Sequence, residues 1–218
     1  MSQKSFNLEI YLVTDRELSL GRPLEWVVEQ AARGGVDIVQ LREKSMDTRP
    51  FIEEGKKLKQ LLKPYNVPLL INDRLDVALA IGADGVHIGQ KDMPYRTARQ
   101  LLGKDAIIGL SVETYEQAEE ANQYDVDYIA ISPVFRTPTK EELNTELGLE
   151  GVTTICKMSR HRAIGIGSIK AHNAGDVIRA GAEGVAVVSG ICSADDPLQA
   201  TRDIKEQVKK AKTVSADL

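Results

Sequence analysis

The feature that most constrains this chain is an alternation of short β-rich runs with amphipathic helical stretches, repeated eight times. The β-rich runs fall at Leu8–Asp15, Asp37–Glu43, Pro68–Asp73, Gly85–Gly89, Ala106–Val112, Tyr128–Phe135, Ala163–Gly167 and Gly184–Gly190. Helical spacing follows each of them, at 23–33, from the second run to Lys63, to about Gly82, and at 94–102, 114–124, 149–158, 168–180 and 197–212. Parallel strands need a crossover between them, so strict βα order predicts a parallel sheet. Runs such as Ile129-Ala130-Ile131 and Gly184-Val185-Ala186-Val187-Val188 are apolar at consecutive positions. That is the signature of strands covered on both faces. A doubly wound open sheet is the rival arrangement. Eight units in 218 residues favour closure into an α/β (β/α)8 TIM barrel, read as one domain over residues 1–218.

An internal echo supports the repeat. Ile81-Gly82-Ala83-Asp84-Gly85-Val86-His87-Ile88 resembles Ala180-Gly181-Ala182-Glu183-Gly184-Val185-Ala186-Val187. Each copy carries glycine where a helix stops and a strand begins. The net charge is −4, with 28 Lys+Arg against 32 Asp+Glu. There is no basic run before the last helix, which argues against a general nucleic-acid binder. An anionic ligand must then be held by a local cluster. Cys156 and Cys192 lie far apart, without Cys or His at metal-ligand spacing, and read as reduced thiols of a cytoplasmic protein. No apolar run is long enough to span a membrane, and Met1–Asn7 is too short and polar for a secretory signal.

In a barrel of this kind chemistry collects at the C-terminal ends of the strands, and those ends are polar here. Strand two ends Gln40-Leu41-Arg42-Glu43-Lys44, which puts Gln40, Arg42 and Lys44 on one face. Two cations and an amide at a barrel mouth call for an anionic partner, and Arg and Lys suit phosphate. The rival reading is a surface cluster facing the helices. Asp73 and Asp92 lie just past strands three and four. A pair of carboxylates beside a cationic patch fits a Mg²⁺-diphosphate site, although either Asp could instead cap a helix. Ser111 could bond phosphate or cap the fifth helix. Thr137, Thr139 and Lys140 open a long loop after strand six that reads as a phosphate clamp and lid. Gly167 with Ser168, and Val188 with Ser189, end strands seven and eight, where barrels often hold a monophosphate. His87 lies inside strand four and reads as a hydrogen-bonded barrel residue. No Ser-His-Asp, Cys-His or zinc set can be assembled.

Read together, these segments resemble the thiamine-phosphate synthase (pyrophosphorylase) family. The resemblance runs from Tyr11-Leu12-Val13-Thr14-Asp15 to about Ile191. It is carried by Gln40-Leu41-Arg42-Glu43-Lys44, Ile71-Asn72-Asp73-Arg74, the 85–92 segment, Pro133-Val134-Phe135-Arg136-Thr137-Pro138-Thr139-Lys140, Leu147-Gly148-Leu149-Glu150-Gly151 and the 184–189 segment. It implies a Mg²⁺-dependent transferase joining 4-amino-2-methyl-5-hydroxymethylpyrimidine diphosphate to hydroxyethylthiazole phosphate, or its carboxylated form. Gln40, Arg42 and Lys44 would hold the diphosphate substrate, assisted by Asn72, Ser111 and Lys140. Asp73 and Asp92 would hold the metal. Thr137, Thr139, Gly167, Val188 and Ser189 would hold the thiazole phosphate. The catalytic set so implied is Arg42, Lys44, Ser111 and Lys140, acting on a pyrophosphate that leaves before the thiazole nitrogen attacks.

Two positions depart from the family pattern. Ser132 precedes Pro133 and Ser168 follows Gly167, each where the family usually has glycine. Ser168 is expected either to add a hydrogen bond at the thiazole-phosphate site or to narrow it. The rival functions are a thiazole tautomerase-like paralogue and a non-catalytic binder of phosphorylated ligands. The paralogue tends to lack the diphosphate and metal residues that this chain keeps. Small-molecule substrates are the expected partners, with no nucleic acid and no membrane; a homo-oligomer is compatible with the sequence.

Overall fold

A computed structural model describes residues 6–136 and 146–216. Eight strands form a closed barrel in chain order: β1 (Ile10–Val13), β2 (Ile38–Leu41), β3 (Leu69–Asn72), β4 (Gly85–Ile88), β5 (Ile107–Val112), β6 (Tyr128–Ile131), β7 (Ala163–Ile166) and β8 (Gly184–Val187). All neighbours are parallel, and β1 closes the ring on β8 through the pairs Ile10–Val185, Tyr11–Ala186 and Leu12–Val187. Helices follow the strands: α1 (Leu24–Gly34), α2 (Thr48–Leu62, with a 3-10 turn at Lys63–Tyr65), α3 (Leu75–Ile81), α4 (Tyr95–Leu102), α5 (Tyr115–Ala121), α6 (Gly148–Met158), α7 (Ala171–Arg179), α8 (Ser189–Cys192) and α9 (Pro197–Ala216). The expected TIM barrel is therefore the fold.

The continuous apolar strands serve two cores. Along β1, Ile10 and Leu12 point outward to the helices while Tyr11 and Val13 point inward. Leu69 and Ile71 against Leu70 on β3, and Val185 and Val187 against Ala186 on β8, divide in the same way. The period-two alternation of a strand thus feeds the barrel interior and the outer shell in turn.

The strands are shorter than the β-rich runs. Their polar C-terminal residues leave the ladder and become the mouth. α7 begins at Ala171 rather than at Ser168, because Ser168 has a left-handed backbone (φ +50°) that a helix does not admit. The one-turn helix α8, beginning at Ser189, was not expected from the sequence.

At the opposite end, an acidic residue stands immediately before each even-numbered strand. Asp37, Asp84 and Asp127 accept the backbone N–H of Ile10, Leu69 and Ile108 at 2.8–2.9 Å. Their own N–H groups, and that of Glu183, donate to Ile10, Leu69, Ile108 and Ala163. Glu183 pairs with Arg162 at 2.5 Å. Each acid therefore ties an odd strand to its even neighbour below the ladder. The Gly-Ala-Asp/Glu-Gly-Val echo in the sequence is part of this device.

Two outcomes follow for stability. Asp127 also holds Arg99 at 2.9 Å, with both side chains largely buried. Asp127→Ala leaves the Ile108 N–H without its acceptor and Arg99 without its carboxylate, its carbonyl partners remaining, and should cost about 2–4 kcal/mol in denaturant unfolding. The Arg162 hydrogen bond holds the Glu183 carboxyl below its usual range. Its contribution is therefore present above the ordinary carboxylate range and lost as pH falls through the depressed value. Acid titration of stability should be shallower in Glu183→Gln than in the parent; superimposable curves would remove Glu183 from the account.

Candidate active site

A cavity opens at the C-terminal ends of the strands. It is lined from successive strands by Tyr11, Gln40, Arg42, Asn72, His87 and Ser111, and on the far side by Ser132, Ile166, Gly167, Ser168, Val188 and Ser189. Of the expected site residues it gathers Gln40, Arg42, Asn72, Ser111, Gly167, Val188 and Ser189. Lys44, Asp73 and Asp92 form a cluster joined to this wall through Asn72, which neighbours Asp73. Thr137, Thr139 and Lys140 lie outside the described residues. A larger groove, lined by Lys56, Lys59, Lys63, Asp84 and Asp105, sits at the other end of the strands, away from these polar groups.

The cations are held, not loose. The Arg42 backbone N–H donates to Thr14 Oγ1 at 3.0 Å, and the Arg42 guanidinium lies 3.4 Å from Asp15 Oδ2. A guanidinium has five N–H donors, and among the described residues this long contact takes one of them, leaving most of the fork for an anion. Arg42 faces the cavity, which removes the reading of an outward surface cluster. Lys44 Nζ sits 2.7 Å from Asp73 Oδ2. Glu43, between the two cations, is drawn off by Arg16 at 2.7 Å.

Neither aspartate caps a helix. α3 starts after Arg74 and α4 after Pro94, with no side-chain cap at either. Asp73 has a left-handed backbone (φ +61°). Its carboxylate takes Lys44 and the Asn72 amide, each at 2.7 Å. Asp92 Oδ2 accepts the Gly89 N–H at 2.7 Å, which folds the loop after β4 back toward its strand. The two carboxyls are near enough to influence each other's ionisation. Burial raises both, but contacts with Asp92 and Lys44 carry Asp73 below its usual range. Asp92, raised by burial and by Asp73, ends above it. A divalent cation held between them would offset their mutual repulsion. No group of three or more His, Cys, Asp or Glu able to hold a metal occurs among the described residues. Two carboxylates fit a hard ion such as Mg²⁺, which fills its shell with water and phosphate oxygens. The same two would be a poor zinc site.

Among the described residues, a line of hydrogen-bonded polar side chains crosses the interior below the mouth. Gln40 Nε2 donates to Tyr11 Oη at 2.7 Å, Tyr11 and Tyr128 share a hydroxyl contact at 2.8 Å, and His87 bridges Tyr128 Oη and Ser111 Oγ at 2.9 Å each. His87 is the hydrogen-bonded barrel residue expected. Ser111 is not a helix cap, since Thr114 caps α5. Gly109 admits this line: a Cβ there would collide with the Tyr128 ring and stand 2.6 Å from His87 Nδ1. Burial pushes both tyrosine hydroxyls well above their ordinary range, so both stay protonated.

Opposite lies the glycine-serine wall. Gly167 (φ +119°) has room for no side chain, because a Cβ would stand 2.9 Å from Pro133 and 3.0 Å from the Val134 nitrogen. Ser168 Oγ donates to the Arg136 carbonyl at 2.6 Å. Its hydroxyl proton is spent on the loop after β6, so of the two outcomes expected for Ser168 the narrowing is the one consistent with the geometry. Ser189 and Gly190 start α8, where N–H groups have no intrahelical acceptor. Arg22 clamps this loop from behind through the carbonyls of Cys192 (2.5 Å) and Ala194 (2.6 Å). Sequence reasoning assigned no part to Asp15, Arg22, Tyr11 or Tyr128. The tyrosines carried the one available signal, as the polar-tipped members of otherwise aliphatic strands.

The thiamine monophosphate synthase family model matches residues 10–191. A thiamine-phosphate synthase of Leptospira biflexa is 52% identical over 202 residues, covering 91% of this chain and 96% of that protein. One from Albidiferax ferrireducens is 47% identical over 201 residues, 92% of each. The solved thiamine phosphate pyrophosphorylase of Pyrococcus furiosus superposes with a TM-score of 0.85 at 36% identity, covering 94% of this chain and 96% of that one.

Asp92→Asn removes one charge from a like-charged pair, so its melting temperature should match the parent's. Calorimetric titration with Mg²⁺ and inorganic pyrophosphate should show affinity lower by at least about tenfold. Unchanged affinity would take Asp92 out of the metal site.

Proposed function

Because the chain belongs to the thiamine monophosphate synthase family, we propose that its barrel mouth joins the pyrimidine and thiazole halves of thiamine phosphate and releases pyrophosphate. It is a transferase of that family, with a TIM-barrel fold. The observation that carries the assignment of roles is the apposition of the Asp73–Asp92 pair and Lys44 to a cavity walled by Arg42, Gln40, Asn72 and Ser111. An enzyme that departs a diphosphate needs fixed positive charge and a hard cation on one side, and a place for a second phosphate on the other.

Mg²⁺ held by Asp73 and Asp92 would neutralise charge on the leaving pyrophosphate. Arg42 and Lys44 bind that group and stabilise the negative charge it gains as the C–O bond of the pyrimidinylmethyl ester lengthens. Lys140, outside the described residues, would join them, as the family resemblance implies. Asn72 keeps Asp73 turned to the site. The thiazole phosphate is held by Gly167, Val188 and Ser189; Thr137 and Thr139, outside the described residues, would assist, as the family resemblance implies. Its ring nitrogen then meets the electron-deficient methylene carbon. That nitrogen attacks with a lone pair, so no general base is required of the protein. Holding the rings in contact supplies the rest.

The retention of Arg42, Lys44, Asn72, Asp73 and Asp92 around one mouth speaks against a tautomerase-like paralogue. Two unpaired thiols, Cys156 and the buried Cys192, support a reducing compartment, and we place the protein in the cytoplasm as a single barrel unit over its 218 residues. Among the described residues no helix is long and apolar enough to cross a membrane.

Purified protein given both substrates should release pyrophosphate, stop with EDTA and resume with Mg²⁺. Arg42→Ala should lower kcat/KM for the pyrimidine diphosphate by roughly 10²–10³-fold and change the KM for thiazole phosphate far less. Binding of both substrates without pyrophosphate release would leave a binder rather than an enzyme; equal losses on both substrates would break the division of the site.

A further inference from the structure

The buried line from Gln40 to Ser111 has a consequence for which pyrimidine the cavity accepts. Each tyrosine hydroxyl owns one proton, and a neutral imidazole owns one ring proton. Once the sense of one hydrogen bond in the line is chosen, the others follow. If the Gln40 amide nitrogen donates to Tyr11, then Tyr11 donates to Tyr128 and Tyr128 donates to His87 Nδ1. His87 then carries its proton on Nε2 and donates to Ser111 Oγ, so the Ser111 proton points elsewhere. In the opposite sense Ser111 donates inward, and Gln40 takes the Tyr11 proton on its carbonyl and turns its NH₂ to the cavity. With a single proton on the His87 ring, two ordered states exist. In one, the cavity meets a carbonyl at Gln40 and a hydroxyl donor at Ser111; in the other, both are reversed.

We propose that Tyr11, Tyr128 and His87 are positioning residues that couple the hydrogen-bonding sense of Gln40 to that of Ser111, so that an anion at Ser111 makes Gln40 a reader of the 4-amino group. This rests on the reading above that a diphosphate ester lies on the Ser111 side. A diphosphate oxygen is always an acceptor, so it draws the Ser111 proton outward. The line then sets, and Gln40 must present its carbonyl. A 4-aminopyrimidine offers that carbonyl an N–H. A 4-oxo pyrimidine offers a second carbonyl, which leaves two acceptors facing each other in a buried site. Gly109 and the burial of both tyrosines keep water from interrupting the line. His87 keeps its orientation because a ring flip would place carbon against both hydroxyls.

The test is the ratio of kcat/KM for the 4-amino pyrimidine diphosphate to that for its 4-oxo counterpart, with thiazole phosphate as acceptor. Tyr128→Phe cuts the line at its middle and frees Gln40 to turn with Tyr11. The ratio should fall about tenfold, chiefly through better use of the 4-oxo compound. Tyr11→Phe should lower the ratio as well, and Y11F/Y128F should fall no further than the larger single loss, because both cuts sever one line. In the unaltered protein, ¹⁵N spectroscopy of His87 with Mg²⁺ and inorganic pyrophosphate should show the proton on Nε2 and none on Nδ1. That measurement does not depend on the variants folding. An unchanged ratio in the folded variants, losses that multiply in the double variant, or a proton on Nδ1 would each overturn the coupling. Absence of pyrophosphate release from the natural pair would instead overturn the functional reading beneath it.

Discussion

Closure of the sheet is the constraint on which the rest of this molecule depends. A parallel ring has no edge strand, so every strand must find two partners and every residue of the ladder faces either the interior or the helices. That leaves no face for solvent and explains strands built from Ile, Leu, Val and Ala. It also makes the pairing between strands the weak point to secure, since four-residue ladders are short. The acids before the even strands answer this. Asp37, Asp84 and Asp127 reach across to a peptide N–H of the preceding strand, and Glu183 is fixed by Arg162 in the corresponding place. The base of the barrel is stitched in pairs, which leaves the other end free to carry residues chosen for chemistry.

The mouth divides by rigidity as well as by charge. Gln40, Asn72, His87 and Ser111 sit on strands and are buried, so their geometry is set by the ladder. Lys44, Asp73 and Asp92 stand on the short segments that follow, where the backbone bends sharply enough to give Asp73 a positive φ. Such strain is found where a side chain must be aimed. Here it turns the Asp73 carboxylate toward Lys44, Asn72 and Asp92, and away from the start of α3. Each carboxyl shifts the other, Asp73 downward and Asp92 upward from the usual range, and a divalent ion between them would offset that repulsion.

The legible part of this protein was the part written in periodicity. Strand–helix alternation was sufficient to predict the barrel, and polar residues at strand ends were sufficient to point to the mouth. Gln40 and Arg42 illustrate why: alternation across β2 puts both on the inner face, and the structure lines the cavity with both. What was illegible depends on long-range distance. Asp73 and Asp92 read from the sequence either as a carboxylate pair or as two helix caps, and the absence of a side-chain cap on α3 and α4, with the return of the loop after β4 through Gly89, decides against the caps. Tyr11 and Tyr128 are 117 residues apart and look like ordinary core aromatics until the ring closes. Ser168 could be placed at the phosphate wall from its neighbours, but the direction of its hydroxyl depends on the Arg136 carbonyl, which comes from another strand's loop.

A barrel interior is usually filled with aliphatic layers, and a line of five polar side chains through it needs a reason. As stabilisation it is a poor choice. Each buried hydroxyl must be matched on both sides merely to offset its desolvation, and leucine or isoleucine would fill the same volume without that demand. What aliphatic packing cannot do is carry information between strands. Gln40 on β2 and Ser111 on β5 are not ladder neighbours, and the hydrogen-bonded path between them passes through β1, β6 and β4. A reaction that separates charge between a leaving group and a ring gains from a site whose dipoles are already aligned with that separation. A chain of hydroxyls in which one choice sets every other is a means of keeping dipoles aligned in a space too small for water to do it.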